Sequence, residues 1–415
     1  MTATATTGDP AVTALDTTTT PGNFVGMYVL RTVVGVNLNA GMDGAPKQIT
    51  VGNARRLRVS SQALKRAMRE WTHQLINRDE QAVRTRKLPG AVAEHLADAR
   101  GIDYQEALAA VAALILGAGK FTIRAQTPHL TQEIVFTPRN AVTALSQLAA
   151  DHWDELAPAA QDVGRQIGEA AEFMAKNGKK KGEKTQLSVD KLPNGLKKQT
   201  VAAFAPGAST EIALNGRMLT ALPDTGAIEA AMSVAHAYSV DPVTLTVDEW
   251  TAKDDWQDGG FEDDSAGASM LDTRTLSSGT LFQWAALDRH QLRANLAATS
   301  GLAGDDLDEA AKQAEQLFVA SAAWAVPGAS GHTTGSQVAP AFAVATVGDT
   351  PPLTPPVFEE AITENIPRTA ADRLGQYLSG MQRLRPINGG AALWAPGLPS
   401  QPPALPDGVS VESIW

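Results

Sequence analysis

The stretch RRLRVSSQALKRAMR, Arg55–Arg69, decides how this chain is organised. Arg56 to Val59 alternates charged and apolar residues, which is the period of a strand with one solvated face. From Leu64 onward apolar residues recur at helical spacing, so an amphipathic helix follows directly. Ser60 or Ser61 is the predicted N-cap, because a serine hydroxyl accepts a backbone amide at a helix start. The stretch therefore predicts a strand that runs straight into a helix.

The same stretch carries six positive charges and no acidic residue. Free backbone amides and the helix dipole at a helix start also favour an anion. Phosphate is the predicted anion. From the basic cluster alone, the alternative interpretation is a solvated helix face with no ligand.

Arg55–Arg69 resembles the motif near the N-terminus of the repeated backbone subunit of the type I-E CRISPR surveillance complex, called Cascade. Two further blocks resemble the same family in the same order. The first combines ALNGRM, Ala213–Met218, with AAMSVAHA, Ala230–Ala237. The second combines LSSGTLF, Leu276–Phe282, with VPGA, Val326–Ala329. Three ordered blocks make the resemblance specific.

The resemblance implies an α+β fold with an RRM-like (ferredoxin-like) palm, a helical fingers insertion and a protruding β-hairpin thumb. The order of strands and helices in the chain is itself compatible with a ferredoxin-like core. The expected parts are a disordered tail at 1–21, a first palm part at 22–82, helical fingers at 83–204, a second palm part at 205–385 with the thumb hairpin at 244–278, and a Pro- and Gly-rich C-terminal arm at 386–415.

The resemblance also implies a function in antiviral defence. Similar subunits are non-catalytic and polymerise along the CRISPR guide RNA in about six copies. They kink the RNA at regular intervals and present it for pairing with target DNA. The implied partners are guide RNA, target DNA, other copies of the chain and other Cascade subunits, with no cofactor and no metal.

Single-stranded RNA needs cations along its backbone and apolar surface against its bases. The residues expected to contact RNA phosphates are Lys47, Arg58, Ser61, Gln62, Lys65, Arg66 and Arg69. In the family, the methionine of the Gly-Arg-Met block is a wedge beside a base flipped out at every sixth guide position. Met218 is therefore the expected wedge and Arg217 the expected backbone contact, although by spacing alone a methionine there is core filling. The matching thumb positions are Thr251 and Leu271.

Net charge is −10, which by itself argues against a nucleic-acid partner, but the charges are segregated. Lys176 to Lys198 holds eight lysines, whereas Asp248 to Asp264 holds eight acidic residues. Opposite patches of this kind suit head-to-tail contacts between copies, with two charged surface loops as the alternative. The lysines expected to attract DNA are Lys179, Lys180, Lys181, Lys184, Lys197 and Lys198.

Composition indicates an ordinary globular protein, with 43% hydrophobic and 19% charged residues. The absence of cysteine suits a reducing cytosol, and Met1 to Pro21 has neither a basic nor an apolar signal region. The longest apolar run, Ala107 to Gly117, is too short to span a bilayer. A cytoplasmic protein without a membrane partner is predicted.

Local patterns predict several further elements. Asn37 to Gly52 is expected to be a flexible Gly-rich loop, Thr210 to Leu219 a strand, and Gly226 to Tyr238 a helix with His236 in the core. Pro386 to Trp415 is expected to be an extended arm or disordered.

The second candidate function is an enzyme. Related backbone subunits of type III CRISPR complexes cut bound RNA with an aspartate in the loop after the first strand, and Asp43 lies in the corresponding loop. Asp43 thus predicts a metal-dependent ribonuclease as the alternative. A plain oligomeric structural protein, which binds no nucleic acid, is the third possibility.

Overall fold

The structure is a computed structural model that describes residues 14–177, 185–190, 192–204, 209–222, 226–252, 270–328, 335–395 and 402–413. The chain forms two compact units. The first contains Leu75–Ala231 and His290–Ala314; the second contains Thr6–Gln74, Met232–Arg289 and Glu315–Trp415. Both units combine helices and strands, so the predicted α+β class is confirmed.

Fourteen strands occur in the described residues. They are β1 (Phe24–Val36), β2 (Gln48–Val51), β3 (Ala54–Val59), β4 (Ala82–Thr85), β5 (Val135–Pro138), β6 (Arg217–Met218), β7 (Ala227–Ile228), β8 (Met232–Val234), β9 (Ala237–Ser239), β10 (Thr244–Ala252), β11 (Met270–Asp288), β12 (Phe342–Gly348), β13 (Ile387–Trp394) and β14 (Val409–Ser413).

Ten α-helices occur in the same part of the chain. They are α1 (Ser61–Thr72), α2 (Leu88–Arg100), α3 (Tyr104–Ala118), α4 (Ala141–Asp151), α5 (Trp153–Asn177), α6 (Asn194–Ala203), α7 (Thr210–Asn215), α8 (Arg289–Ser300), α9 (Gly304–Trp324) and α10 (Ile366–Met381). A short 3-10 helix, Arg78–Glu80, precedes β4.

The second unit is built on one ten-stranded sheet in the order β14-β13-β12-β1-β11-β9-β3-β2, with β8 and β10 also paired to β11. All its pairings are antiparallel except that of β13 with β14. β1 lies between β11 and β12, and both sheet faces are covered. Leu30 packs with Leu374 of α10 on one face, and Val33 packs with Leu64 of α1 on the other. A strand covered on both faces needs a nearly continuous apolar run, which β1 has.

Arg31 interrupts that run inside the sheet. Its guanidinium donates to the carbonyl oxygens of Ala323 and Val338, at 2.5 and 2.8 Å. Burial lowers the pKa of Arg31 to about 10, so the side chain is still cationic at neutral pH. Arg31 thus ties β1 to the last turn of α9, where the helix dipole favours a positive charge.

The helices α2, α4, α5 and α6 of the first unit pack around α3. Residues from Ala107 to Ile115 are all buried, because α3 is apolar on every side and therefore suits a central position. Asp103 caps its start by accepting the amide of Gln105 at 2.7 Å. Two short antiparallel pairs, β4 with β5 and β6 with β7, complete the strands of this unit.

Two local predictions are wrong. Thr210 to Leu219 is mostly the helix α7, because the Ser209 hydroxyl caps its start and Gly216, with φ +70°, ends it. Gly226 to Tyr238 contains β7, β8 and β9 rather than a helix, since β8 and β9 both pair with β11 and β9 also pairs with β3. Tertiary pairing overrides the helical spacing of the alanines there.

The predicted flexible loop at Asn37 to Gly52 is a hydrogen-bonded hairpin. Ala40 and Pro46 form a bridge, the Gly41 amide donates to the Ala45 carbonyl at 2.8 Å, and Gln48–Val51 is β2. β2 pairs with β3 and so extends the edge of the sheet. Because of this pairing, the segment is a hairpin and not the flexible loop that its glycines predict.

The predicted disorder of the N-terminal tail is wrong for its described part, and the C-terminal segment takes the extended rather than the disordered alternative. Leu15 and Thr17 are buried, and the Thr17 hydroxyl donates to Glu315 at 2.6 Å, whereas residues 1–13 of the predicted tail lie outside the described residues. In the predicted C-terminal arm, β13 pairs with β12 and β14 pairs with β13. A Cβ on Gly390 would clash with the Ala345 carbonyl, so a glycine at this position allows close strand pairing.

None of the described helices is long and apolar enough to cross a membrane.

Candidate nucleic-acid interface

The junction of β3 and α1 has the predicted local structure. β3 ends at Val59, Ser60 is the N-cap, and its hydroxyl accepts the Ala63 amide at 3.3 Å. Leu64, Ala67 and Met68 are buried along one face of α1. Ser60, rather than Ser61, is therefore the cap, and the strand passes directly into the helix as predicted.

The amides at the start of α1 are largely occupied. Ser60 N donates to Asn39 Oδ1 at 3.0 Å, and Ser61 N donates to His236 Nδ1 at 2.9 Å. Ala63 N is satisfied by the cap itself. This corrects the prediction of free amides for an anion: binding of phosphate here depends on the side chains of α1.

His236 was predicted to be a core residue, and that prediction is wrong. Its side chain is exposed, between β8 and β9, where its ring accepts the Ser61 amide. Because Nδ1 accepts, the proton of the neutral ring belongs on Nε2. Sequence reasoning missed this residue at the interface, since only the pairing of β9 with β3 brings the two blocks together.

The predicted cations of α1 lie outside its apolar face. Arg66 is 72% exposed and forms an i,i+4 ion pair with Glu70, at 2.7 Å between Nε and Oε1. Gln62 is exposed, whereas Ser61, Lys65 and Arg69 are half-buried. The Lys65 ammonium donates to the Met232 carbonyl at 3.3 Å. Polar groups of α1 thus border a common surface.

The arginines of β3 separate into two roles. Arg56 was expected on a solvated strand face but has no exposed surface. Its guanidinium donates to the carbonyls of Ser239, Val240, Phe358 and Glu359, and burial lowers its pKa. Arg58 is half-buried and pairs through its backbone with Tyr238. Arg56 is a structural residue because the 358–359 segment covers its face of the strand.

Lys47 is held beside β3. Its carbonyl accepts the Arg58 amide at 2.8 Å, and its amide donates to the Asn39 carbonyl at 3.0 Å. Its side chain is half-buried. Because Asn39 also binds the Ser60 amide, Lys47, Arg58 and the start of α1 are brought together by one hydrogen-bonded hairpin.

Met218 lies in the first unit and is 86% exposed at the end of β6. This exposure excludes the core-filling interpretation. Arg217, predicted to contact the RNA backbone, is only 6% exposed, and its guanidinium donates to the Phe204 carbonyl at 3.3 Å. The expected surface position of Arg217 is therefore corrected: its side chain turns inward and holds the short strand that displays Met218.

The predicted thumb residues occupy paired positions in the backbone of one hairpin. Thr251 pairs with Leu271 across the antiparallel ladder of β10 and β11, and Thr251 is exposed. The Arg274–Asp248 ion pair, at 2.7 Å, crosses the same hairpin. The side chain of Leu271 and residues 253–269 lie outside the described part.

Only part of the lysine-rich segment is described. Lys179, Lys180, Lys181 and Lys184 lie outside the described residues. Lys197 and Lys198 are exposed, but they belong to α6 rather than to the loop predicted there, because Asn194–Ala203 packs through Leu196 and Thr200.

Asp43 is exposed, and its carboxylate accepts the Ala45 amide at 3.1 Å, which closes a local turn. The described residues contain no group of three or more His, Cys, Asp or Glu side chains that could hold a metal ion. Within that part of the chain, Asp43 has no companion ligands.

A mostly antiparallel sheet flanked by helices, with polar groups gathered at one strand-to-helix junction, defines an α+β protein with a candidate phosphate-binding surface. The chain belongs to the Cas_CT1975 family, described as CT1975-like protein, whose model matches residues 25–387. No curated protein matches the sequence at a significant level.

Solved chains with a similar fold include two from CRISPR surveillance complexes. A chain of a "CRISPR RNA-guided surveillance complex, pre-nicking" has a TM-score of 0.74 at 23% identity, covering 94% of this chain and 96% of that one. A chain of a "CRISPR RNA-guided surveillance complex" has a TM-score of 0.64 at 20% identity, with the same coverage. The kinship inferred from the three sequence blocks is confirmed at the level of family and fold.

Proposed function

We propose that this protein is a non-catalytic backbone subunit of a Cascade-type, type I-E-like surveillance complex. Several copies, about six by the resemblance, polymerise along the CRISPR guide RNA, kink it at regular intervals and present it for pairing with target DNA. The other partners are further Cascade subunits. The protein works in the cytoplasm, where guide RNA and target DNA are accessible.

The observation that carries this proposal is the polar surface of α1, in a chain with the fold of surveillance-complex subunits. Gln62, Arg66 and Arg69 recur at helical spacing and lie near one another on the helix surface. Lys47 and Arg58 continue the positive surface along the preceding hairpin. Such a row of cations neutralises consecutive phosphates without reading base edges, which suits a scaffold for guides of any sequence.

The parts of a right hand have structural candidates. The sheet that contains β1, β3 and β11 is the proposed RRM-like palm, and the helices α2 to α6 are the proposed fingers. The hairpin of β10 and β11 is the proposed thumb, with Thr251 and Leu271 pressing on the kinked nucleotide. Exposed apolar side chains on β10, such as Val247 at 65%, support a role in contact with another molecule.

Polymerisation along RNA gains affinity by repetition, because each copy adds one set of phosphate contacts to the same strand. The lysines Lys197 and Lys198, with those at 179–184, are proposed to attract target DNA through long-range electrostatics. Acidic residues of the thumb, such as the exposed Glu249, suit a basic surface on a neighbouring copy.

The nucleic acid in the purified assembly tests this proposal. The co-expressed complex is expected to contain RNA of uniform length that is removed by ribonuclease and resistant to deoxyribonuclease. The measurements are the ratio of absorbance at two wavelengths and gel electrophoresis of the extracted nucleic acid. An assembly that purifies without nucleic acid would sink the proposal and favour a plain structural protein.

Met218→Ala tests the wedge. Since Met218 is 86% exposed, its truncation is expected to change the free energy of unfolding by less than about 0.5 kcal/mol. In the assembled complex, chemical probing of the guide is expected to change at every sixth base. Met42→Ala, another exposed methionine, is the control and should leave the pattern unchanged. If Met218→Ala gave the same reactivity pattern as the unmodified complex, the wedge role of Met218 would be contradicted.

The absence of catalysis is also part of the proposal, and Asp43 makes it testable. Assembled complex incubated with magnesium and complementary target RNA is expected to leave that RNA intact. Cuts at six-nucleotide spacing that disappear in Asp43→Ala would instead establish the ribonuclease alternative.

A further inference from the structure

A cavity of about 420 Å³ lies in the first unit, outside the surface of α1. Its walls come from the 3-10 helix before β4, from β4 itself, from the start of α2 and from the turn between β5 and α4. The volume falls in the range of small-molecule sites, roughly 300–1,000 Å³. None of the predicted RNA or DNA contacts lines this cavity.

Three cations surround the cavity: Arg78, Lys87 and Arg139. All three are exposed, and none forms an ion pair within the described residues. Asp79 is the one acidic residue among the described residues that line the cavity, so a net positive charge remains there. Unpaired cations grouped around a concave surface favour a dianionic ligand group such as a phosphate.

Backbone hydrogen bonds hold this rim together. The Arg139 amide donates to the Gln81 carbonyl at 2.9 Å, and the Asn140 amide donates to the Asp79 carbonyl at 3.1 Å. These bonds join the segment of Arg78 to that of Arg139. The Lys87 amide donates to the Thr85 hydroxyl at 2.9 Å, which fixes the turn from β4 into α2. The three cations are therefore carried by a defined backbone frame.

The remaining wall is mostly apolar. Val83, Leu88, Ala91 and Val142 line it, and Thr85 adds one hydroxyl. A phosphate alone makes no favourable contact with such an apolar wall. A ligand that combines an anionic group with a flat, weakly polar ring system uses both surfaces, since the ring covers apolar area while the anion contacts the cations.

We propose that this cavity binds a nucleoside monophosphate unit, with the base against Val83, Ala91 and Val142 and the phosphate among Arg78, Lys87 and Arg139. The unit comes either from a free nucleotide or from a nucleotide within a single strand. The proposal uses residues of the first unit only and does not require that α1 binds guide RNA.

The test uses the full-length chain carrying Lys65→Glu and Arg66→Glu, so that the surface of α1 makes no contribution. Adenosine 5′-monophosphate is titrated by isothermal calorimetry. Adding Arg78→Gln, Lys87→Gln and Arg139→Gln is expected to weaken binding at least about tenfold, because three charge contacts to one phosphate are lost. Circular dichroism verifies that each variant is folded.

The matched control removes three cations of the same unit that do not line the cavity, with Lys120→Gln, Arg124→Gln and Lys312→Gln. All three are exposed. The control is expected to change the affinity by less than about twofold, since none of the three residues lines the cavity and salt screens the long-range effect of exposed charges. If both triple variants lost the same affinity for adenosine 5′-monophosphate, binding would be general charge attraction and the proposed site would be contradicted.

Further ligands separate the alternatives. Ribose 5-phosphate is expected to bind at least about fivefold more weakly than the nucleotide, because it lacks the base. Equal affinities would overturn the role of the apolar wall. Poly-glutamate binding as tightly as the nucleotide would overturn the nucleotide assignment in favour of an acidic protein partner.

A single-stranded hexanucleotide identifies the source of the unit. Loss of its binding in the cavity variant but not in the control assigns the site to a nucleic-acid strand. Binding of the mononucleotide alone assigns it to a free nucleotide. Ala91→Phe, which fills the cavity and keeps every charge, is a second variant, and unchanged nucleotide binding in it would contradict the proposal.

Discussion

Replacing Lys65 and Arg66 together with glutamate is expected to release the RNA from the assembly. Hydrogen bonds to charged groups contribute about 1.5–3 kcal/mol each, so losing two phosphate contacts weakens RNA binding by more than about 100-fold per copy. Reversed charges add repulsion to this loss. For single-stranded RNA, the slope of log affinity against log salt is also expected to fall by about 1.4.

The double variant is expected to fold. Arg66 is 72% exposed, and its partner Glu70 is on the surface of the same helix. The apolar face of α1, with Leu64 and Met68, is unchanged. Exposed Lys120 and Lys312, changed to glutamate together, are the control, which should retain RNA. RNA per chain in the purified assembly is the measurement, and undiminished RNA in the α1 variant would contradict the proposed interface.

Arg56→Met is expected to lower the free energy of unfolding by about 3–5 kcal/mol. Methionine keeps much of the side-chain volume but provides no donor for the carbonyls of Ser239, Val240, Phe358 and Glu359. Buried carbonyls that lose a donor incur a desolvation penalty, and this loss is a large part of the stability of a typical domain.

Arg55→Met is the matched control for Arg56. The two residues are neighbours in β3, but the side chain of Arg55 is exposed, so its replacement should change stability by less than about 0.5 kcal/mol. Urea unfolding followed by circular dichroism measures both. Equal stabilities of the two variants would show that the carbonyls around Arg56 find other partners and that its buried position is not structural.

Local patterns predicted much of the second unit correctly. The passage from β3 into α1, a serine N-cap and the amphipathic face of α1 all follow from nearest-neighbour chemistry in a continuous run of residues. The family was recognised from three such runs. These features depend on residues that are close together in the sequence and not on what packs against them. The spacing of polar and apolar residues is therefore enough to predict them.

Patterns failed where long-range pairing decides the conformation. Gly226 to Tyr238 has helical spacing, yet β8 and β9 are strands because β11 offers hydrogen-bond partners more than forty residues away. The Pro- and Gly-rich composition of 386–415 left an extended arm and disorder both open, and only the pairing of β13 with β12, which Gly390 allows, decides between them. The cavity of the first unit was also invisible in the sequence, since its cations come from three separate segments.

The sequence by itself determined the class of this protein, its family and the presence of a basic helix behind a capped strand, because each is encoded in short runs of side chains. Only the tertiary structure decided what each polar group does. It buried Arg56, turned Arg217 inward, exposed Met218 and brought His236 to the first amide of α1. The same type of side chain is a structural hydrogen-bond donor where it is buried and a surface contact where it is exposed. Burial depends on which distant segments pack over the side chain, and only the folded chain determines that.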